Sequence, residues 1–375
     1  MSRKTTLTVL AWSAIMVLVV GGTAFAQMLT PQEQLGKFLF FDINLSEPAG
    51  QSCASCHDPV AGFADPDRNL PVSEGVIPGR FGNRNSPSAA YAVFNPIFTF
   101  KRGILGGQFW DGRAADLAEQ AKGPFLNPVE MNNTSRAQVI GKIALAGYAD
   151  LFKQVCGANA FDAANTDNSY NCMAATIAIF EGTSELNKFT SKFDAYLGGL
   201  YTLTPQEDQG RRLFSGSGKC AHCHTDNGTP VVFTDFKYHN IGLPTNREYP
   251  YSLLNPIPID RGLGANALVL DPRQDGKFKN PHLRNISLTA PYMHNGVLKT
   301  LKQVVHFYNT RDVLLRCDPL LSNLDPGFSV TCWPAPEIPQ TMDSSFMGNL
   351  NLTGAEEDAI VAFMMTFTDG YLTLP

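Results

Sequence analysis

Apolar residues recur at three- and four-residue spacing in six stretches, 113–121, 136–152, 171–181, 186–197, 298–308 and 355–366, and each predicts a helix. No stretch alternates apolar and polar residues long enough to predict a large sheet. The stretches 59–87 and 225–280 are rich in proline and glycine and are expected to form ordered loops. The expected fold class is therefore mostly α. Loops of this length are seldom free linkers, so they need an apolar body to pack on.

The pattern occurs twice. Thr30-Pro31-Gln32-Glu33-Gln34, followed by Gly36 and Leu39-Phe40, returns as Thr204-Pro205-Gln206-Glu207-Asp208, followed by Gly210 and Leu213-Phe214. Threonine before a first-turn proline, with acids just inside, marks a helix start. The duplication predicts two related helical domains, 27–200 and 201–375, with the boundary at Gly198-Gly199. A chain of 375 residues with 44% hydrophobic content can bury a core in each.

Each repeat runs into C-x-x-C-H, at Cys53, Cys56 and His57 and again at Cys220, Cys223 and His224. Paired thiols can bond to the two vinyl groups of a haem while the adjoining histidine ligates the iron, so the chain is expected to carry two covalently bound haem c groups. A lone C-x-x-C also suits a thioredoxin-like pair or half a zinc site. The histidine and the repeat at domain-sized separation favour haem.

Ser2-Arg3-Lys4, a largely apolar run from Leu7 to Val20 and then Ala24-Phe25-Ala26 have the order of a secretory signal, expected to occupy 1–26 and to deliver the protein to the periplasm. An uncleaved anchor is the alternative, disfavoured because the run is shorter than the roughly 20 residues of a usual span. Four of the eight cysteines lie outside the haem motifs. In an oxidising compartment their spacing suggests disulfides Cys156–Cys172 and Cys317–Cys332. A net charge of −5 leaves no basic footprint for nucleic acid.

Two segments, QFWDGRAADLAEQAKGPFLNPVEM at 108–131 and LRNISLTAPYMHNG at 283–296, resemble the bacterial di-haem cytochrome c peroxidase and MauG family, and the resemblance extends over nearly the whole mature chain. It implies two cytochrome c-like haem domains with long ordered loops, a high-spin first haem that meets peroxide, a six-coordinate second haem and a calcium ion between them. Matched residue by residue, His57 is the proximal ligand of the first haem, and Gln120, Pro124 and Glu130 form its distal pocket. Glu130 is the expected proton carrier, a carboxylate able to take a proton from one peroxide oxygen and deliver it to the other. Trp110 is the expected relay between the haems, although from residue type alone it reads as core. Asn83, Thr289 and Pro291 match the calcium position, with oxygen-only ligation that suits this ion.

Two departures from the peroxidase pattern bear on function. No histidine occurs from Asp58 through Phe109, where reductively activated peroxidases carry one that blocks the first haem. Fourteen residues after His294, where the usual methionine ligand stands, this chain has Tyr308, as MauG has tyrosine. Phenolate stabilises high iron oxidation states, whereas a thioether raises the potential. Met293, His306 or another side chain is the alternative ligand, with Tyr308 then merely packing on the helix face. With His224 and Tyr308 on the second haem, the resemblance implies a bis-Fe(IV) state formed with hydrogen peroxide and used to oxidise tryptophan in a separate protein. The specific reading is MbnH, which converts a tryptophan of MbnP to kynurenine. The alternatives are a peroxidase drawing electrons from a small cytochrome or cupredoxin, and a di-haem electron carrier without catalysis.

Overall fold

The computed structural model describes residues 28–101 and 103–372, so the proposed signal segment lies outside the described residues. Its helices are α1 Pro31–Phe41, α2 Cys53–Cys56, α3 Leu117–Leu126, α4 Arg136–Ile143, α5 Ala149–Cys156, α6 Thr166–Glu181, α7 Lys192–Leu197, α8 Pro205–Ser215, α9 Leu301–Thr310 and α10 Gly354–Met365. Strand is confined, among the described residues, to β1 Tyr238–His239 antiparallel to β2 Phe278–Lys279 and β3 Leu315–Arg316 parallel to β4 Cys332–Trp333. The mostly helical expectation therefore holds. None of these helices is long and apolar enough to cross a membrane.

Local capping set the helix bounds, and several differ from expectation. The first expected helix begins four residues late, because Asp116 caps α3 by accepting from Glu119 N, and it runs on to Leu126. The stretch 136–152 breaks into α4 and α5. Gly147, a poor helix former, lies in the break, and the turn lets Val139, Ile140, Ile143 and then Phe152 enter one core. Of 186–197 only α7 is helical, started by a capping box between Ser191 and Asp194. The last helix starts from the matching box of Thr353 and Glu356. Both disulfides are present: Cys156–Cys172 ties α5 to α6, and Cys317–Cys332 closes the loop between β3 and β4.

The sequence repeat is also a structural repeat. Thr30 and Glu33 exchange capping hydrogen bonds at the start of α1, and Thr204 and Glu207 do the same at α8. α1 then crosses α6, and α8 crosses α10, each at a glycine. A Cβ on Gly36 would collide with the Thr176 carbonyl and lie 2.8 Å from Phe180 Cβ; one on Gly210 would collide with the Ala359 carbonyl and lie 2.9 Å from Phe363 Cβ. Two apolar cores follow from these crossings, one around Leu35, Leu39, Phe40, Phe125 and Phe180, the other around Phe193, Phe214, Phe233, Phe363 and Phe367. Gly210→Ala should lower stability by about 1–3 kcal/mol through overpacking. The control Gly141→Ala, at an exposed position in α4 with nothing within 4 Å of the new Cβ, should raise it by up to about 1 kcal/mol. Denaturant unfolding of the two variants reads both signs.

Candidate active site

Each C-x-x-C-H segment turns tightly enough that its histidine N–H reaches the first cysteine's carbonyl, His57 to Cys53 at 2.9 Å and His224 to Cys220 at 2.8 Å. The Nδ1 of His57 donates to the Phe63 carbonyl at 3.1 Å, and that of His224 to the Phe233 carbonyl at 2.9 Å. A carbonyl can only accept, so the tautomer is set and Nε2 remains for a metal. Phe63 and Phe233 both hold positive φ, at 59° and 58°, which aims the two carbonyls back at the rings. Burial pushes both imidazoles below their ordinary range. None of the four motif cysteines is in a disulfide, and burial drives the Cys56 and Cys220 thiols up to about 12 before attachment. Neutral thiols flanking an enclosed histidine fit thioether attachment of a haem at each motif.

Each motif opens on a cavity. The first, of about 160 Å³, is lined by Cys53, Cys56 and His57 together with Asn83, Trp110, Gln120, Pro124 and Glu130. The expected distal residues are thus brought together against the first motif. Among the described residues His57 is the only histidine lining this cavity. The Glu130 carboxyl accepts from Asn127 Nδ2 at 2.7 Å; burial raises it above the usual carboxylate range, and the Asn127 hydrogen bond and the charge of Arg113 offset part of that rise. Arg113 is itself held by Asp111 at 2.9 Å and lies 3.7 Å over the Phe109 ring.

The second cavity, about 220 Å³ and mainly apolar, is lined by Cys220, Cys223, His224, Tyr308, Thr289 and Pro291. Tyr308 is placed there by α9, and its hydroxyl has no hydrogen-bond partner among the described residues. Burial, then Cys223 and Cys220, push it well above the usual phenol range. Of the alternative ligands, His306 does not line the cavity and instead pairs with Glu357 at 2.8 Å. Met293 does line it, as does Met347. Trp110 lines both cavities, its Nε1 donating to the Asn85 carbonyl at 2.8 Å and its ring edge-on to His294 at 6.5 Å. The calcium candidates are divided: Asn83 lines the first cavity, Thr289 and Pro291 the second.

Sequence reasoning missed one chemically distinctive member of the first cavity. Glu181, the last residue of α6, is 5% exposed and faces the same space as Cys53 and Glu130. The available signal was a lone acid ending the run Met173-Ala174-Ala175-Thr176-Ile177-Ala178-Ile179-Phe180.

Comparison with known proteins agrees with this layout. The di-haem cytochrome c peroxidase family model matches residues 30–202. The chain is 36% identical to the methylamine utilization protein MauG of Paracoccus denitrificans, over 96% of this chain and 95% of that one. The chain belongs to the di-haem cytochrome c peroxidase/MauG family. Among solved structures, the family's diheme peroxidase BthA of Burkholderia thailandensis is similar, with a TM-score of 0.79, 33% identity and coverage of 91% of this chain and 86% of that one. A MauG-like protein associated with microbial copper homeostasis is similar at a TM-score of 0.69 and 28% identity, with 91% and 90% covered. Like this family, the chain is a haem-dependent, peroxide-using oxidoreductase with two haem c groups.

Proposed function

We propose that the protein oxidises tryptophan in a partner protein with hydrogen peroxide, after the manner of the MauG-like members of the family. Tyr308 carries this reading: a half-buried phenol without a hydrogen-bond partner among the described residues, facing the cavity of the second C-x-x-C-H motif. The two haems supply peroxide cleavage and the storage of oxidising equivalents. His57 and His224, their tautomers set by the Phe63 and Phe233 carbonyls, would hold the two haems through Nε2, and Tyr308 would offer its phenol oxygen as a further ligand at the second site. At the first site Glu130 Oε1, steadied by Asn127, takes a proton from one peroxide oxygen and returns it to the other, with Gln120 and Pro124 shaping the space around it. Trp110, lining both cavities, is the relay between them. Oxygens of Asn83, Thr289 and Pro291 are the calcium candidates.

Residues 27–200 and 201–375 form the two haem domains in this reading. The paired cores support the division, with Phe193 of α7 reaching across it into the second core. The two disulfides and the leader pattern of residues 1–26 support a periplasmic location. The structural relative tied to copper homeostasis supports an MbnH-like role, with MbnP as the class of substrate and kynurenine as the product.

Met293 and Met347 sustain a second reading. If either thioether ligates the second iron, its potential rises and the chain is a peroxide scavenger fed by a small cytochrome or cupredoxin. The deciding experiment adds stoichiometric hydrogen peroxide to the diferric holoprotein. Both irons are expected to depart from the ferric state in Mössbauer spectra without prior reduction, and a tryptophan-bearing partner to change mass. Reaction only after half-reduction favours the scavenger.

A further inference from the structure

The first cavity contains two carboxyl groups with different surroundings. Glu130 is anchored by Asn127 and feels Arg113; Glu181 has no hydrogen bond to its carboxyl from any described residue. Both lie close enough to the Cys53 sulfur to oppose its ionisation, Glu181 more strongly. Among the described residues the helices packed on α6 bring it no free cation: Lys37 of α1 pairs with Glu185, Lys122 of α3 with Glu119, Arg136 and Lys142 of α4 with Asp167 and Glu47, and Lys153 of α5 with Asp150. The titratable groups that share its cavity are Cys53, Cys56, His57, Glu74 and Glu130, with the cations Arg84 and Arg113 also on its wall. Thioether formation removes the two thiols from this set. An anion without a hydrogen-bond donor, and with neither wall arginine offsetting its burial, is costly, so Glu181 stays neutral until well above the ordinary carboxylate range, and burial alone pushes it up to about 8. A charge change on a haem held by Cys53 is felt strongly at this distance from bulk water.

We infer that Glu181 is a proton-holding residue coupled to the first haem, its carboxyl taking up one proton when that iron gains an electron and releasing one when the iron loses it. Above the ionisation of Glu181, Fe(III) beside a carboxylate, one electron from the reductant and one proton from solvent become Fe(II) beside a neutral carboxyl. The inference rests on the first cavity being the haem pocket. It adds to the proton path of Glu130 a second group, which keeps the pocket's net charge constant through the redox step.

The test is a spectroelectrochemical titration of the holoprotein with redox mediators between pH 6 and pH 10, following the high-spin haem. In the wild type the potential should fall as pH rises through Glu181's ionisation. Its slope should approach a tenfold change in the reduction equilibrium per pH unit, about 59 mV for one electron. Glu181→Gln should remove that slope, Glu181→Asp should keep it in a displaced window, and Glu130→Gln should leave it in place. A flat wild-type profile, or an unchanged slope in Glu181→Gln, overturns the inference. Covalent haem is counted by mass in each sample; fewer than two haems in the wild type overturns the pocket reading itself. If Glu181→Gln fails to load haem, the redox-difference infrared spectrum of the wild type at pH 9 decides. A protonated carboxyl band gained on reduction supports the coupling, and its absence overturns it.

Discussion

Glu130→Gln should slow the reaction of the diferric protein with hydrogen peroxide by roughly 10²- to 10⁴-fold, the range spanned by a positioned general acid–base group. Glutamine keeps the volume and, through its amide oxygen, the hydrogen bond from Asn127 Nδ2, so the pocket is preserved while the proton acceptor is lost. The pH profile adds a check that simple damage would not reproduce. Burial raises Glu130, and in the proposed role the residue works as a base, so the wild-type rate should fall as pH drops through a value above the ordinary carboxylate range. In the variant that acid limb should vanish. Stopped-flow mixing with peroxide across pH measures both, and a wild-type rate in the variant would remove Glu130 from the proton path.

Tyr308→Phe should change the second haem as much as Glu130→Gln changes the first. The ring still lines the cavity from α9, but the oxygen without a hydrogen-bond partner among the described residues is gone. On the proposed Tyr308 ligation the ferric state loses an anionic donor in the variant, and the potential should rise by on the order of 0.1 V or more, axial ligands tuning haem potentials over about 0.8 V. The variant should also fail to store the second oxidising equivalent after peroxide addition. Potentiometry and Mössbauer spectroscopy read the two effects. An unchanged potential would hand the sixth position to another side chain, with Met293, Met347 and Met364 the thioethers on the same wall.

How much of this could be read along the chain depended on distance in sequence. Cys53, Cys56 and His57 are legible because thiols three apart followed by histidine come together within one turn of backbone. The same holds for the start of α1, where Thr30 and Glu33 meet across three residues, and for the two disulfides, whose cysteines are 16 and 15 residues apart. The helix in 136–152 was misjudged because apolar periodicity continues through Gly147 while the chain turns there to keep Phe152 in the core. That Gln120, Pro124 and Glu130 share a cavity was expected only through a resemblance, since side chains on a helix and the turn after it carry no spacing rule that names a pocket.

By itself the sequence determined the two C-x-x-C-H turns, the duplicated helix starts, the mostly helical class and the disulfide pairs, all interactions between residues close along the chain. Tertiary structure decided which groups share a cavity. It set Trp110 on the walls of both pockets, turned His306 away to Glu357 while leaving Tyr308 facing the second, and brought Glu181 beside Cys53, 128 residues distant. Those juxtapositions depend on how α6 packs on α1 and α3, and on the glycines that let the helices of each half cross at backbone distance. Burial then gave each group its chemistry, because a carboxyl or phenol acquires a shifted proton affinity from the solvent and partners the fold takes away.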